Sequence, residues 1–197
     1  MDDRGRKNDA RPRIVVVGAS AGGLEALSAL LAVMPPDFPL PMLVVQHLAP
    51  TRISNLPQLL TNRSALPVQQ VRGGECPLPG HVYVAPPDHH LVVEDGKLAL
   101  TRAERVRFSR PSVDVLFESV ARSFDRGVIG VILSGGGSDG TEGARAIRAA
   151  GGRVVAQDRA SATNFGMPGS AAAAGVTDAV LSVEGIASYL DEETGGH

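Results

Sequence analysis

The sequence predicts an α/β fold: a single doubly wound, mostly parallel sheet with helices on both faces and an inserted antiparallel hairpin. Short runs rich in valine and isoleucine alternate along the 197 residues with segments whose apolar residues recur at helical spacing. A continuous apolar run is typical of a parallel strand buried on both faces, and alternation of such strands with helices favours a doubly wound sheet. The length fits one domain with a core large enough to fold alone.

The first part of the chain contains a strand, a glycine-rich turn and a helix, followed by a second strand that ends at a histidine. The predicted elements are a strand at Ile14–Val17, a helix over 24–34, a strand over 41–47, a short helix over 54–62 and a strand over 68–71. The first helix ends at Pro35-Pro36, since proline interrupts helical hydrogen bonding.

Three short runs in the middle of the chain, at 80–87, 90–93 and 97–100, are joined by Pro86-Pro87 and by Asp95-Gly96. Asp-Gly between two apolar runs is a strong signal for a two-residue hairpin turn. This segment therefore predicts an antiparallel hairpin inserted into the parallel fold.

The last part of the chain repeats the order of strand, glycine-rich turn and helix. The predicted elements are a helix capped by Ser112 with an apolar face from Val113 to Phe124, a strand over 127–133, a glycine-rich turn over 134–140, a helix over 141–150, a strand over 153–157, a small helix ending at 175, a strand over 178–181 and a helix over 183–190. Two glycine-rich turns thus each follow a buried strand and precede a helix.

Composition excludes several classes of protein. The 19 basic and 21 acidic side chains give a formal net charge of -2, which leaves no electrostatic footprint for binding nucleic acid or an anionic membrane. Cys76 is the single cysteine, so an internal disulfide is excluded and the sequence suits a reducing cytoplasm. No apolar run approaches the length of a membrane span, so we expect a cytoplasmic protein without membrane insertion.

The same pattern predicts the domain boundaries. Residues 1–12 have no apolar periodicity and predict a disordered tail. Residues 13–190 predict one domain, and residues 191–197 a flexible C-terminal tail.

Three polar side chains follow the ends of three separate apolar strands: Ser20, His47 and Asp139. The carboxyl ends of parallel strands share one edge of a sheet, so these side chains can meet there. A serine hydroxyl becomes a nucleophile when an imidazole removes its proton, and a carboxylate on the far side of the ring fixes the tautomer and stabilises the imidazolium. The three residues therefore predict acyl transfer, with the glycine-rich turns offering backbone N–H groups to an oxyanion.

Each of these residues also has a plain structural interpretation. Serine is a favoured helix N-cap, and Ser20 taken alone fits a cap better than a nucleophile. Asp139 begins a D-x-x-E pattern with Glu142, which is typical of a capping arrangement, and His47 taken alone fits a polar loop residue. The coincidence of all three at one predicted edge favours the catalytic interpretation.

Other candidate sites are weaker. The first turn reads G-x-x-x-G-G rather than G-x-G-x-x-G, which does not favour a dinucleotide site. Asp88-His89-His90 lacks a third, spaced ligand, and neighbours on an extended segment point to opposite faces. Cys76 lies in a loop rich in proline and glycine with no positioned base. We expect neither a metal ion nor an organic cofactor.

Six motifs, in order from about residue 13 to 190, closely resemble the catalytic domain of the CheB-type chemotaxis protein-glutamate methylesterases. They are GASAGG at 18–23, QH at 46–47, LPGHVYVAP at 78–86, RPSVDVLF at 110–117, GVILSGGGSDG at 130–140 and FGMP at 165–168. Six motifs in register are a specific signal, unlike any one of them alone.

The resemblance implies hydrolysis of glutamate γ-methyl esters on methyl-accepting chemoreceptors, with release of methanol, and deamidation of receptor glutamines. It implies that Ser20 is the nucleophile, His47 the general base and then acid, and Asp139 the residue that orients His47. The backbone N–H groups of Ala21 and Gly136 are the candidates for the oxyanion hole.

Arg110, in the RPSVDVLF motif, is a candidate for contact with an acidic receptor segment, and equally for an exposed structural arginine. Two positions depart from the family pattern. Ala21 stands where the familiar turn has threonine, and Gly136 stands where family members often carry methionine. A hydroxyl beside the nucleophile and a side chain that would shape the pocket are therefore missing.

Well-known members of this family carry a phosphoacceptor receiver domain ahead of the catalytic domain. The twelve residues before the predicted domain cannot hold one, so we expect no regulation by a receiver within these residues. The chain is interpreted as free-standing, as paired with a separate regulatory partner, or as part of a longer protein. Two alternatives stay open. One is a catalytically weak receptor-binding or signalling module of the same fold, and the other is a methylesterase that acts on a protein other than a chemoreceptor.

Overall fold

The computed structural model describes residues 13–47 and 55–195. The strands are β1 (Ile14–Ala19), β2 (Met42–Gln46), β3 (Val68–Gln70), β4 (Val82–Val84), β5 (His90–Glu94), β6 (Lys97–Thr101), β7 (Val128–Ile132), β8 (Arg153–Gln157) and β9 (Ala179–Leu181). The α-helices are α1 (Gly23–Val33), α2 (Leu56–Thr61), α3 (Val113–Phe124), α4 (Thr141–Ala149), α5 (Gly166–Ala173) and α6 (Val183–Thr194), and a turn of 3-10 helix covers Asp125–Gly127. Within the described ranges, no helix is long and apolar enough to cross a membrane.

Seven strands form one parallel sheet in the order β3-β4-β2-β1-β7-β8-β9. In the middle of this sheet, Val17 of β1 pairs with Val44 of β2 on one side and with Val131 of β7 on the other. The chain builds the sheet outward from β1 first through β2 and later through β7, so the winding direction reverses at β1. In open parallel sheets, ligands bind beyond the carboxyl ends of the strands at such a reversal.

Helices cover both faces of the sheet because side chains of the central strand alternate between two cores. Ile14 and Val16 face the core beneath α3, α4 and α5, whereas Val15 and Val17 face the core beneath α1, α2 and α6. All four side chains are fully buried, and burial of each is worth about 1.5–3 kcal/mol. The predicted doubly wound sheet with helices on both faces is confirmed.

The predicted hairpin is confirmed in β5 and β6, which form a separate antiparallel pair. Glu94 faces Lys97 across the Asp95-Gly96 turn, and both turn residues have positive φ, 50° and 75°, as a type I′ turn requires. The pair packs on α3, where the Ser119 hydroxyl accepts a hydrogen bond from the Val93 N–H at 3.1 Å.

Only the second and third of the three middle runs belong to this hairpin. The run at 80–87 instead contributes β4 to the main sheet, where it lies parallel to β2 and β3 and is fully buried. Pro86 and Pro87 have no backbone N–H to donate, so the chain leaves the sheet there before the hairpin begins.

The last helix is longer than predicted. The sequence pattern ends it at 190 and assigns 191–197 to a flexible tail, but α6 continues to Thr194. Gly195 closes the helix because its left-handed backbone, with φ 81°, lets its N–H reach the Asp191 and Glu192 carbonyls. The tail predicted at residues 1–12, the remaining residues 196–197 and residue 54 of the predicted short helix lie outside the described residues.

Candidate active site

The carboxyl ends of β2, β1 and β7 lie side by side and carry the three predicted residues. Ser20 comes directly after β1, His47 directly after β2, and Asp139 lies in the glycine-rich turn that follows β7. Backbone hydrogen bonds continue past the strand ends: the His47 N–H donates to the Ala19 carbonyl at 3.0 Å, and the Ser20 N–H donates to the Ser134 carbonyl at 2.9 Å. The sheet therefore fixes the backbone of Ser20 between the ends of β2 and β7.

The side chains of the three residues are hydrogen bonded in series. His47 Nδ1 lies 3.1 Å from the Ser20 hydroxyl oxygen, and His47 Nε2 lies 2.7 Å from Asp139 Oδ2. A carboxylate only accepts hydrogen bonds, so Nε2 carries the proton and Nδ1 presents its lone pair to the Ser20 hydroxyl. In this tautomer the imidazole can take the proton of Ser20 while Asp139 stabilises the resulting positive charge.

Asp139 is only 4% exposed, and each of its carboxylate oxygens accepts two hydrogen bonds. Besides His47, the donors are the Val113 N–H at 2.8 Å, the Ser112 hydroxyl at 2.9 Å and the Asp114 N–H at 2.9 Å. Burial alone raises the pKa of a carboxyl, but the hydrogen bond from His47 and those from the backbone outweigh it and lower the pKa of Asp139. Asp139 is therefore ionised at neutral pH, as the partner of an imidazolium must be.

The structure contradicts the interpretation of Ser20 and Asp139 as helix caps. The N-cap of α1 is Gly22, in a left-handed conformation and without a side-chain cap, so Ser20 does not cap that helix. The N-cap of α4 is Gly140, so Asp139 does not cap its own helix either. Its carboxylate instead contacts the first turn of α3, whose N-cap is Ser112 as predicted.

The two glycine-rich turns pack against each other beside Ser20. A Cβ added to Gly135 would lie 2.9 Å from the Ser20 Cβ and would overlap the Met167 sulfur. The Ser134 hydroxyl joins the two turns by donating to the Ala21 carbonyl at 2.7 Å. Glycine at 135 is therefore required for the second turn to approach Ser20 this closely.

Several backbone N–H groups in the described turns have no protein acceptor, and those of Ala21 and Gly136 are among them. Both residues are exposed. The Gly135 N–H, by contrast, donates to the Asn164 carbonyl at 2.9 Å. Ala21 and Gly136 can thus donate to an oxyanion, and their assignment to an oxyanion hole stays a prediction.

Gln46 is a residue of the site to which sequence reasoning assigned no role. Its side-chain amide donates to the Ser20 carbonyl at 2.7 Å and to the His47 carbonyl at 3.2 Å. Gln46 therefore links the backbone of Ser20 to the backbone of His47. A buried polar residue at the end of an otherwise apolar strand was the signal that could have found it.

Arg110 is hydrogen bonded within the protein. Its Nε and Nη2 atoms donate to Asp88 Oδ1 at 3.1 and 2.7 Å, and Nη1 donates to the Arg102 and Ala103 carbonyls at 3.0 and 2.9 Å. The Arg110 guanidinium lowers the pKa of Asp88. Since only 17% of its side chain is exposed, the structural interpretation of Arg110 is favoured over contact with substrate.

No group of three or more His, Cys, Asp or Glu side chains within the described ranges is arranged to hold a metal ion. The two adjacent histidines have separate partners. His89 Nδ1 donates to the Pro87 carbonyl at 2.9 Å, whereas His90 is fully buried between the Ser112 N–H and the Glu104 carbonyl.

A doubly wound sheet with a hydrogen-bonded serine, histidine and aspartate at its carboxyl edge has the arrangement of an α/β serine hydrolase. The family model described as CheB methylesterase matches residues 15–190. The chain belongs to the CheB methylesterase family, as the sequence motifs predicted.

Similar proteins agree with this assignment. The chain is 44% identical over 181 residues to protein-glutamate methylesterase/protein-glutamine glutaminase 4 of Myxococcus xanthus (strain DK1622), covering 91% of this chain and 51% of that protein. It is 48% identical over 182 residues to protein-glutamate methylesterase/protein-glutamine glutaminase 3 of Anaeromyxobacter dehalogenans (strain 2CP-C), covering 91% and 53%. The chain thus spans about half the length of these curated relatives. The crystal structure of the Thermotoga maritima CheB methylesterase catalytic domain matches with a TM-score of 0.88 at 37% identity, covering 92% of this chain and 98% of that one.

Proposed function

We propose that this chain hydrolyses the γ-methyl esters of glutamate side chains in proteins by covalent catalysis through Ser20. The observation that carries the proposal is the series Ser20–His47–Asp139, with 3.1 and 2.7 Å between successive polar atoms and a buried, ionised acid at its end. The methylesterase names of the Myxococcus and Anaeromyxobacter relatives support the same reaction.

In the first half of the reaction, the Ser20 oxygen attacks the ester carbonyl carbon while its proton passes to His47 Nδ1. The carbonyl oxygen becomes an oxyanion, which accepts hydrogen bonds from the Ala21 and Gly136 N–H groups. The intermediate then expels the methoxy group, which takes the proton from His47 and leaves as methanol. The glutamyl side chain stays attached to Ser20 as an ester, and Asp139 holds the Nε2 proton of His47 throughout.

In the second half, water attacks the ester on Ser20 and gives a proton to His47. Collapse of this intermediate returns that proton to the Ser20 oxygen and leaves a glutamate carboxylic acid, which ionises on release. A glutamine side chain can follow the same steps with ammonia as the leaving group. This accounts for the glutaminase activity in the names of the relatives.

The proposed substrate is the methylated cytoplasmic segment of a chemoreceptor. Ser20 is partly exposed and the neighbouring Ala21 and Gly136 are exposed, so the site opens onto the protein surface. An ester at the end of a glutamate side chain can reach Ser20 there while the backbone of the substrate protein stays outside. Membership of the CheB family supports a chemoreceptor as that protein.

The test is release of methanol from membranes that contain methyl-esterified chemoreceptors, with this protein and its Ser20→Ala variant compared after circular dichroism shows both to be folded. We expect release that disappears with the serine hydroxyl. Equal release from both proteins would refute the role of Ser20. No release from either would refute the chemoreceptor as substrate and favour a binding module or another protein ester.

A further inference from the structure

Asp114 is a buried carboxylate beside the site that the proposed reaction does not use. It lies in the first turn of α3 and is only 4% exposed. Its Oδ1 atom accepts hydrogen bonds from the Gly140 N–H at 2.9 Å and the Gly143 N–H at 2.8 Å, and Oδ2 accepts from Arg107 Nε at 3.2 Å. Gly140 is the N-cap of α4 and has no side chain, so Asp114 supplies from α3 the cap that α4 lacks.

Asp139 provides the same interaction in the opposite direction. It lies directly before α4, yet its carboxylate accepts from the N–H groups of Val113 and Asp114 in the first turn of α3. The two helices therefore exchange caps. Asp114 accepts a hydrogen bond from the N–H of Gly140, which directly follows Asp139 in the chain. The position of Asp139 therefore depends on Asp114 as well as on the hydrogen bonds of its own carboxylate.

The packing of α3 against α4 allows this exchange only with glycine at two positions. A Cβ at Gly143 would lie 2.5 Å from the Phe117 Cβ and 3.0 Å from the Asp114 Cα. Gly140 has a φ of 98°, and a Cβ there would lie 2.9 Å from Val113 Cγ1. The backbone of α4 thus comes close enough for one carboxylate oxygen of Asp114 to reach both N–H groups.

The two carboxylates also interact through their charges. Burial, together with the neighbouring charge of Asp139, raises the pKa of Asp114. The charged groups that face Asp114 are Asp139 from the glycine-rich turn and Arg107 from the segment before α3, and His47 lies beyond Asp139. The positive ends of both helix dipoles lie next to this pair. An ionised Asp114 adds negative potential near the ring that must become positive during catalysis.

We propose that Asp114 is a positioning residue for the Asp139–His47 pair. By holding the Gly140 and Gly143 N–H groups it keeps the Asp139 carboxylate in line with His47 Nε2, and its charge favours the imidazolium. The inference rests on the proposed function of Ser20 and His47, so its test must separate the two.

The test measures the rate at which Ser20 is phosphonylated by an alkyl fluorophosphonate. In this reaction the serine oxygen displaces fluoride from phosphorus and its proton passes to His47, so the rate reports activation of the hydroxyl without any protein substrate. Asp114→Ala removes both acceptor oxygens, whereas Asp114→Asn keeps one oxygen for the two backbone donors and removes the charge. Ser182→Ala is the matched control. The Ser182 hydroxyl caps α6 by accepting a hydrogen bond from the Gly185 N–H at 3.2 Å, and α6 lies on the other face of the sheet.

We expect Asp114→Ala to lower the phosphonylation rate constant about 10- to 100-fold, since a small displacement of a catalytic group has effects of that size. Asp114→Asn should recover most of the rate. In the Asp114→Asn variant, the acid limb of the pH profile of the phosphonylation rate should move to lower pH by a few tenths to about one unit, because the substitution removes the negative charge of Asp114 near the imidazolium. Ser182→Ala should lower the thermal midpoint and leave the rate and its pH profile unchanged.

An Asp114→Ala protein with a lower thermal midpoint but the wild-type rate would overturn the inference, and so would an Asp114→Asn profile with an unmoved acid limb. If Asp114→Ala does not fold, the Asp114→Asn profile decides. A wild-type protein whose Ser20 is not labelled would refute the proposed function and this inference with it. If Ser20 of the wild type is labelled and the Asp114 variants are labelled at the same rate, the inference about Asp114 is refuted and the proposed function is not.

Discussion

Replacement of Asp139 by alanine should destabilise the fold, whereas replacement of Ser20 by alanine should not. The Ser20 hydroxyl contacts His47 at the partly exposed edge of the site. The Asp139 carboxylate, by contrast, accepts from the Ser112 hydroxyl and from the N–H groups of Val113 and Asp114 at the buried start of α3. Alanine leaves these three donors without their acceptor, so Asp139 has a structural role that Ser20 lacks.

The expected loss follows from those three donors. An unsatisfied buried donor costs about 1–3 kcal/mol, so the lower end of that range gives roughly 3 kcal/mol. Removal of the repulsion between Asp139 and Asp114 offsets part of this. We expect the free energy of unfolding to fall by about 2–3 kcal/mol in Asp139→Ala and by less than about 0.5 kcal/mol in Ser20→Ala.

The difference should also depend on pH. The pKa of Asp139 is lowered in the folded protein, so its ionised form stabilises the fold at pH values above its ordinary pKa of about 3.9. That stabilisation is lost as the pH falls through the lower, folded value. The loss of unfolding free energy in Asp139→Ala, relative to the wild type, is therefore largest near neutral pH and becomes smaller below about pH 4.

Urea denaturation followed by circular dichroism, at neutral pH and at an acidic pH where the wild type is still folded, measures both effects. Asp139→Asn is the control, since it keeps one oxygen that can accept from Ser112 and Asp114, and it should fall between the wild type and the alanine variant. An Asp139→Ala protein within about 0.5 kcal/mol of the wild type at neutral pH would refute the exchange of caps between α3 and α4.

Three further substitutions test other parts of the structure. Gly135→Ala should lower kcat at least about tenfold because the new Cβ would lie 2.9 Å from that of Ser20, whereas Gly175→Ala, with nothing within 4 Å, should affect only stability. Equal kcat values for the two variants would argue against close packing of the second turn on Ser20. Arg110→Ala should lower the thermal midpoint and leave KM for a protein substrate unchanged, and a several-fold rise in KM would instead indicate substrate contact. Phe108→Gly should raise the free energy of unfolding by about 0.5 kcal/mol, since Phe108 is 96% exposed with a φ of 64°, and a lower denaturation midpoint would contradict this.

The place of the site could be predicted because strand ends are encoded locally. The runs at 14–17, 41–47 and 127–133 mark three buried strands, and each run ends in polar residues or is followed by a glycine-rich turn. Parallel strands share a carboxyl edge, so Ser20 and His47 had to lie near that edge once the strands were predicted. The order β2-β1-β7, which makes the three strands neighbours, depends on tertiary pairing and came only from the structure.

The surroundings of Asp139 could not be predicted in the same way. A D-x-x-E pattern is typical of a local cap, but the carboxylate accepts from the backbone of Asp114, 25 positions away in the chain. The helices α3 and α4 start side by side, and this tertiary arrangement overrides the local preference. The assignment of Val82–Val84 to the main sheet has the same cause, because pairing with β2 and β3 decides it rather than the residues themselves.

The central claim is that Ser20 and His47 act as one catalytic unit. The most direct test is steady-state methanol release from methyl-esterified chemoreceptor membranes by Ser20→Ala, His47→Ala and the double variant. Each single substitution should lower kcat by a factor on the order of 10⁶, and the double variant should be no slower than either single one, since residues that act together do not lose activity additively. A Ser20→Ala variant that keeps a substantial share of the wild-type kcat, or losses that multiply in the double variant, would contradict the claim.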